Sequence, residues 1–266
     1  MLTVVVTPKG FSGRVGTAQR AALASLRALG PDVTIVLVGR GNGVREAAAN
    51  VSGQWAPEVA TGLEGLPMLA DVIRIGRRHA GDGDLVYANA DIAFTPDLQE
   101  ALLRVPFRDY LLTGRRFEVS SVPPAFNSRD DLSEFVRTAR LHPAGDFGID
   151  YFALPARIPL DEHLPPFVVG RPGWDNWVLG WARRSGVASI DASDMVTALH
   201  LDASATAWTW DQPGSQSNKR LAADSLRLGL RDTTHRFRKG RVQRRRDPRD
   251  ILRRLQLRFG PTAAAQ

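Results

Sequence analysis

Leu85-Val86-Tyr87-Ala88-Asn89-Ala90-Asp91-Ile92 is an apolar run that stops on a carboxylate. Its length and apolar content suit a strand, and nothing in packing asks for an acid at its end. Open α/β sheets place ligands beyond the carboxyl ends of their strands, so Asn89 and Asp91 stand at the expected edge. Working outward, Val4–Thr7 and Val33–Val38 are two β-branched runs. Between them Thr17 can cap a helix whose apolar face is Ala22, Leu26 and Leu29, closed by Gly30-Pro31. Strand, helix and strand in about 35 residues is a βαβ unit with a right-handed crossover.

The alternation continues. A helix opens at Gly65-Leu66-Pro67 and carries Leu69, Val72, Ile73 and Gly76 on one face; another starts at Thr95-Pro96-Asp97. Tyr110–Gly114 reads as a strand, Leu132, Phe135, Val136 and Ala139 have helical spacing, and Ile149–Leu154 reads as a strand again. A helix over Asp175–Arg184 and short strands at Val187–Asp191 and Met195–His200 complete the pattern. The expected fold class is α/β, a mixed, mostly parallel Rossmann-like sheet flanked by helices.

Composition sets limits. With 266 residues, 43% hydrophobic, the chain can bury a sizeable core. It has no cysteine, which excludes disulfides, cysteine-ligated zinc and a thiol nucleophile. The first residues read as a strand and not as a signal peptide, and no apolar stretch reaches the ~20 residues of a membrane span. A cytoplasmic location is therefore expected. The net charge of +7 is unevenly placed: Arg236 to Arg258 holds eleven basic residues against two acids, so the rest carries −2. A helix is expected from Asp247-Pro248, with Ile251, Leu252, Leu255 and Phe259 on one side and arginines elsewhere. Such a segment suits a helix packed on the domain, a disordered tail, contact of residues 236–259 with an anionic membrane at its inner face, or nucleic acid.

Chemistry concentrates in a few places. Thr7-Pro8-Lys9-Gly10 follows the first strand, with Lys9 and Arg14 able to approach phosphate; it is neither a Walker loop nor a Gly-x-Gly-x-x-Gly turn, which counts against kinases and dinucleotide oxidoreductases. Arg115 and Arg116 follow a strand and can meet phosphate in bidentate fashion, one of the two being a solvated surface arginine. The run Gly170-Arg171-Pro172-Gly173-Trp174-Asp175-Asn176-Trp177 delivers an acid between two tryptophans. Asp175 suits a helix cap as well as a general base, and Trp174 and Trp177 suit a core as well as a sugar platform. Asp150, before Tyr151-Phe152, fits either an acceptor contact or a strand-end turn; Asp91 and His200 fit either ligands or a turn and a strand end.

Taken in order, Leu85–Ile92, Gly114-Arg115-Arg116, Asp150-Tyr151-Phe152, Gly170–Trp177 and Val196-Thr197-Ala198-Leu199-His200 resemble the GT-A class of nucleotide-sugar glycosyltransferases, in a subgroup with an Arg-Pro-Gly-Trp-Asp-Asn-Trp signature. The resemblance spans about Thr3 to His235. It implies a domain over 1–235, with a nucleotide-sugar half (1–115) and an acceptor half (116–235), followed by a basic helical tail (236–266). It further implies an enzyme that moves a sugar from a nucleoside-diphosphate donor to a hydroxyl of a glycan, a lipid-linked acceptor or a small molecule. The donor would contact Thr7, Pro8, Lys9, Arg14, Asn89, Asp91 and Arg115. The acceptor would contact Asp150, Trp174 and Trp177, and Asp175 would be the base of an inverting reaction. A Mn or Mg ion would sit on Asp91 and His200, although Asn89 stands where the class has an acid. A nucleotidyltransferase of related fold is the enzymatic alternative, for which Gly10-Phe11-Ser12-Gly13-Arg14 is a poor match. A nucleic-acid-binding protein, or an enzyme glycosylating a modified base in DNA, are the readings that the basic tail favours.

Overall fold

The computed structural model describes residues 1–121, 126–201 and 209–245. Among the described residues thirteen strands run in chain order. The first six are β1 (Leu2–Val6), β2 (Val33–Val38), β3 (Gln54–Ala56), β4 (Asp84–Ala88), β5 (Ile92–Phe94) and β6 (Tyr110–Thr113). Then come β7 (Arg116–Val119), β8 (Leu141–Pro143), β9 (Tyr151–Pro155), β10 (Ala188–Asp191), β11 (Ala198–His200), β12 (His235–Arg238) and β13 (Arg241–Arg244). Nine of them form one sheet in the order β13-β12-β10-β6-β9-β4-β1-β2-β3. All its neighbours are parallel except β9, antiparallel to β4 and β6, and the β12–β13 hairpin. The expected α/β class, with a mixed and mostly parallel sheet, is what the chain forms.

Helices cover the sheet: α1 (Gly13–Ala28), α2 (Val44–Asn50), α3 (Leu69–Ala80), α4 (Asp97–Leu103), α5 (Arg129–Thr138), α6 (Leu160–His163), α7 (Trp174–Arg184) and α8 (Pro213–Ala222). Side chains alternate across each strand, so β4 sends Val86 and Ala88 to one core layer and Leu85 and Tyr87 to the other. The first layer lies under α1, with Leu23 and Leu26. The second lies under α3 and α7, with Val72, Ile73, Trp174 and Val178. Gly76 lets α3 approach the sheet closely: a Cβ there would come within 2.7 Å of Leu85 and 2.9 Å of Val5. Thr17 does not cap α1. The helix begins four residues earlier, and the Thr17 hydroxyl donates back to the Gly13 carbonyl.

The smaller sheet, β5-β11-β7-β8, stands at the carboxyl edge of the larger one. β11 is its centre, antiparallel to β5 and parallel to β7. At the other end, the basic run starts as sheet. Residues 236–238 and 241–244 lie in β12 and β13, joined by a turn at Lys239-Gly240, and β12 pairs with β10. The boundary expected at 235/236 thus cuts through a strand, and the first residues of the expected basic tail are edge strands. Six of the ten residues from Arg236 to Arg245 are Arg or Lys, which blunts an exposed sheet edge against further pairing. The helix expected from Asp247 lies outside the described residues, as does 246–266 altogether. Among the described residues no helix is long and apolar enough to cross a membrane.

Candidate functional site

Register brings the site together. Val6 pairs with Ala88, and Ala88 pairs with Tyr151, so Thr7, Asn89 and Asp150 leave the sheet side by side. The Asn89 N–H donates to the Asp150 carbonyl (2.9 Å), and the Asn89 amide donates to the Asp150 carboxylate (2.6 Å). In the smaller sheet His200 is the rung partner of both Ile92 and Glu118. That places its imidazole between Glu118 and the acid just before β5, Asp91. The Glu118 carboxylate lies 2.7 Å from His200 Nδ1, and Asp91 lies 3.5 Å from Nε2. Arg116, two residues before Glu118 and so on the same face of β7, bonds Glu118 at 2.7 Å and Asp150 at 2.5 Å.

The result is a cavity of about 630 Å³. One wall is the β1 and β4 edge with Thr7, Lys9, Asn89 and Asp91; another is Arg116, Glu118 and His200. The far side is Phe147, Asp150, Arg171, Trp174 and Asp175. Gln19, from α1, closes the floor: its side chain accepts from the Lys9 N–H (2.7 Å) and donates to the Lys9 carbonyl (3.1 Å).

Asp175 arrives by a turn that only glycine makes cheaply. Gly170 has φ +77° and Gly173, the residue preceding α7, has φ +107°. Gly173 occupies the cap position, so Asp175 sits inside the first turn, where its carboxylate accepts from the Gly173 N–H at 3.3 Å. A negative charge is favoured there by the helix dipole.

The enclosed surroundings set the protonation states. Desolvation pushes the Asp175 carboxyl up to about 7, backbone N–H groups of Asn176 and Gly173 oppose this, and the charge of Asp150 adds to it. Asp150 is also raised by burial, which outweighs its Arg116 partner. Burial alone would depress His200, but hydrogen bonds and charge from Asp91 and Glu118 overcome it and raise its pKa to about 9. Asp91 and Glu118 are held low against burial by that same imidazole, with Lys9 helping Asp91 and Arg116 helping Glu118.

Of the residues expected from sequence, Thr7, Lys9, Asn89, Asp91, Asp150, Trp174, Asp175 and His200 share the cavity. Pro8, Arg14, Arg115 and Trp177 do not line it. Pro8 is buried beside the turn, and Arg14 is exposed on α1. Arg115 is replaced by Arg116, because adjacent residues at the start of a strand point to opposite faces. Trp177 follows Asp175 by two residues, about 200° around the helix. It packs on Phe167, with Arg184 above its ring. Trp174 lines the cavity yet is only 4% exposed, its ring edge-on to Tyr87 and packed with Phe152. Sequence reasoning missed Gln19, Glu118, Phe147 and Arg171. A polar side chain on the alanine-rich face of α1 was the signal for Gln19.

No family model matches the chain, and no curated protein matches it. Among solved structures, it is similar to the mannosyltransferase PcManGT of Pyrobaculum calidifontis in complex with GDP-Man and Mn2+, at 15% identity and TM-score 0.48. That alignment covers 76% of this chain and 57% of that one, so the chain spans little more than half the length of this neighbour. Glucosyl-3-phosphoglycerate synthase of Mycobacterium tuberculosis, with Mg2+ and UDP, matches at 14% identity and TM-score 0.44, covering 75% of this chain and 71% of that one. At these low identities and TM-scores, the functional reading rests on the cavity's own residues.

Proposed function

We propose that the chain is a GT-A-type glycosyltransferase that moves a sugar from a nucleoside-diphosphate donor to an acceptor hydroxyl with inversion. The observation that carries the reading is one cavity, at the carboxyl ends of β1 and β4, lined by the Asp91–His200 pair and by a carboxyl with a pKa of about 7, Asp175. A diphosphate fits the first, where Lys9 lies close enough to act on Asp91. A hydroxyl to be deprotonated fits the second, because a base tuned near the working pH transfers protons most effectively. In the reaction, Asp175 takes the hydroxyl proton while that oxygen bonds to the anomeric carbon. The bond from that carbon to the diphosphate oxygen breaks, and its electron pair leaves with the nucleoside diphosphate.

A divalent cation is part of the proposal, and the donor set fits one in a specific way. Among the described residues no group of three or more His, Asp or Glu side chains converges to cage an ion unaided. Asp91 would provide one donor and His200 Nε2 a second once the ion displaces its proton, and Glu118 on Nδ1 orients the imidazole as carboxylates do behind metal-bound histidines. Mn and Mg sites at phosphates commonly use one or two protein carboxylates, with phosphate oxygens and water completing the shell. Asp91 and His200 would hold such an ion, and it would offset charge developing on the diphosphate.

The test is a thermal-shift screen of UDP, GDP, dTDP and CDP with and without Mn, followed by product analysis with the matching sugar nucleotide. A diphosphate should stabilise the protein, Mn should increase the shift, and Asp91→Ala should remove that increase. Release of pyrophosphate in place of nucleoside diphosphate would instead identify a nucleotidyltransferase. A protein that ignores every diphosphate refutes the proposal.

A further inference from the structure

The far wall of the cavity carries features that the sugar-transfer reading does not use. Phe147 is 52% exposed, yet the turn that presents it is fixed on both sides. The Gly148 N–H bonds the Gly145 carbonyl (2.9 Å), the Arg116 N–H bonds the Gly148 carbonyl (3.1 Å), and the Ala144 N–H bonds the Arg116 carbonyl (3.0 Å). Asp146 ties the same turn to the Leu230 N–H at 3.0 Å and to the Arg231 guanidinium. A large aromatic ring held out on an anchored turn, at the rim of a cavity, is a platform prepared for a ligand.

The charges there are already spoken for. Of the lysine and arginine side chains lining the cavity, Arg116 is held between Asp150 and Glu118. Arg171 bonds Glu64 at 2.9 and 3.2 Å and the Gly170 carbonyl at 2.9 Å. Glu64 is itself anchored by the Gly214 N–H at 2.9 Å. The third, Lys9, is on the β1 wall near Asp91. The wall around Phe147 therefore offers carboxylates, backbone and an aromatic face, and its guanidinium groups are committed to protein acids. An anion there would meet the Asp175 carboxylate and, among the described residues, guanidinium groups already neutralised by protein acids.

Resting on the sugar-transfer reading, we propose that the acceptor is a sugar bearing neither phosphate nor carboxylate, neutral or amino-substituted, stacked by one apolar face on Phe147 with its hydroxyls toward Asp150 and Asp175. Carbohydrates recognised by proteins present C–H faces to aromatic rings and hydroxyls to carboxylates, and an ammonium substituent gains from the acidic wall.

The experiment uses the full chain with the stabilising nucleoside diphosphate bound, and saturation-transfer NMR against matched sugars: glucose, mannose and glucosamine against glucose 6-phosphate, mannose 6-phosphate and glucuronate. Neutral and amino sugars should receive saturation on their ring protons, with affinities at least ten-fold above those of their anionic counterparts. Phe147→Ala should weaken acceptor binding at least ten-fold, Phe147→Trp should restore it, and neither should change the thermal shift given by the diphosphate. The proposal is overturned if an anionic sugar binds as well as its neutral match, if no neutral sugar binds, or if Phe147→Ala binds as wild type. Loss of the diphosphate shift in wild type would sink the sugar-transfer reading itself, which separates the two failures.

Discussion

Replacing Asp175 with asparagine should inactivate the protein and stabilise it at the same time, and the two effects should share one pH. The carboxyl's ordinary pKa is 3.8, and enclosure in the cavity wall raises it to about 7. As a base it works ionised, so kcat/KM should rise with pH through about 7 and level off above. At pH 6 about one molecule in ten carries the charged form, against about nine in ten at pH 8. The asparagine variant should lose 100-fold to 10,000-fold in kcat, the range general bases contribute, while its diphosphate-induced thermal shift stays that of wild type.

Stability follows the opposite sign. Between 3.8 and about 7 the folded protein keeps a proton that the unfolded chain has released, so wild-type stability falls with rising pH across that window and is flat above it. Full burial would make the loss about 4 kcal/mol at 1.36 kcal/mol per pH unit. Asp175 is partly exposed to the cavity, and water there screens the charge, so about 2 kcal/mol is expected. Urea denaturation at pH 5 and pH 8 checks this. About two thirds of that loss falls between pH 5 and pH 8, so the variant should gain on wild type by about 1 kcal/mol between the two pH values, less a few tenths for the lost favourable charge in the first turn of α7. An asparagine variant with more than a tenth of wild-type kcat, or with no pH-dependent gain in stability, refutes the argument.

Arg116→Ala strips two carboxylates of their partner; with Arg116 about a quarter exposed, the cost should be about 2 kcal/mol, read by urea denaturation at pH 8. Gln19→Ala leaves the Lys9 N–H and carbonyl unpaired at the cavity floor, and should cost about 2 kcal/mol while raising donor KM more than it lowers kcat in steady-state assays. The Tyr87 hydroxyl is buried without a hydrogen-bond partner among the described residues, so Tyr87→Phe should be neutral or raise stability by up to about 1 kcal/mol by thermal melting.

The half of the fold built from β1, β2 and β4 was legible because strands covered on both faces are written in nearly unbroken Val, Ile and Leu. Val33–Val38 was read to the residue. Of the smaller sheet only β11 was legible, within Met195–His200; its other strands are three or four residues long and show no period. The strands β12 and β13 were hidden for another reason: Arg and Lys that protect an edge look in sequence like a solvated tail. Within the site, acids at the ends of apolar runs announced themselves. Glu118 did not, because its place depends on which residue of β11 it pairs with. The choice between Arg115 and Arg116 depended on where β7 begins, and a shift of one residue reverses a strand's faces.

Asn89 looks in sequence like a missing charge, and its surroundings give a reason for the amide. Its nitrogen donates to the Asp150 carboxylate at 2.6 Å, while the other Asp150 oxygen takes Arg116 at 2.5 Å. An acid at 89 would set two carboxylates at hydrogen-bond distance with one guanidinium between them, and such a pair must share a proton or repel. Asn89→Asp should therefore raise the apparent pKa of the pair and weaken the fold as pH rises through it. The loss should be about 2 kcal/mol at pH 8 and should shrink to a few tenths near pH 4, where the folded pair is protonated and an unfolded aspartate is about half so. Urea midpoints at the two pH values measure it, and repeating them with Mn tests whether a cation takes up the added charge. Equal midpoints for variant and wild type at pH 8 without Mn would show that the site tolerates the second acid, and that the amide at 89 does not answer to Asp150.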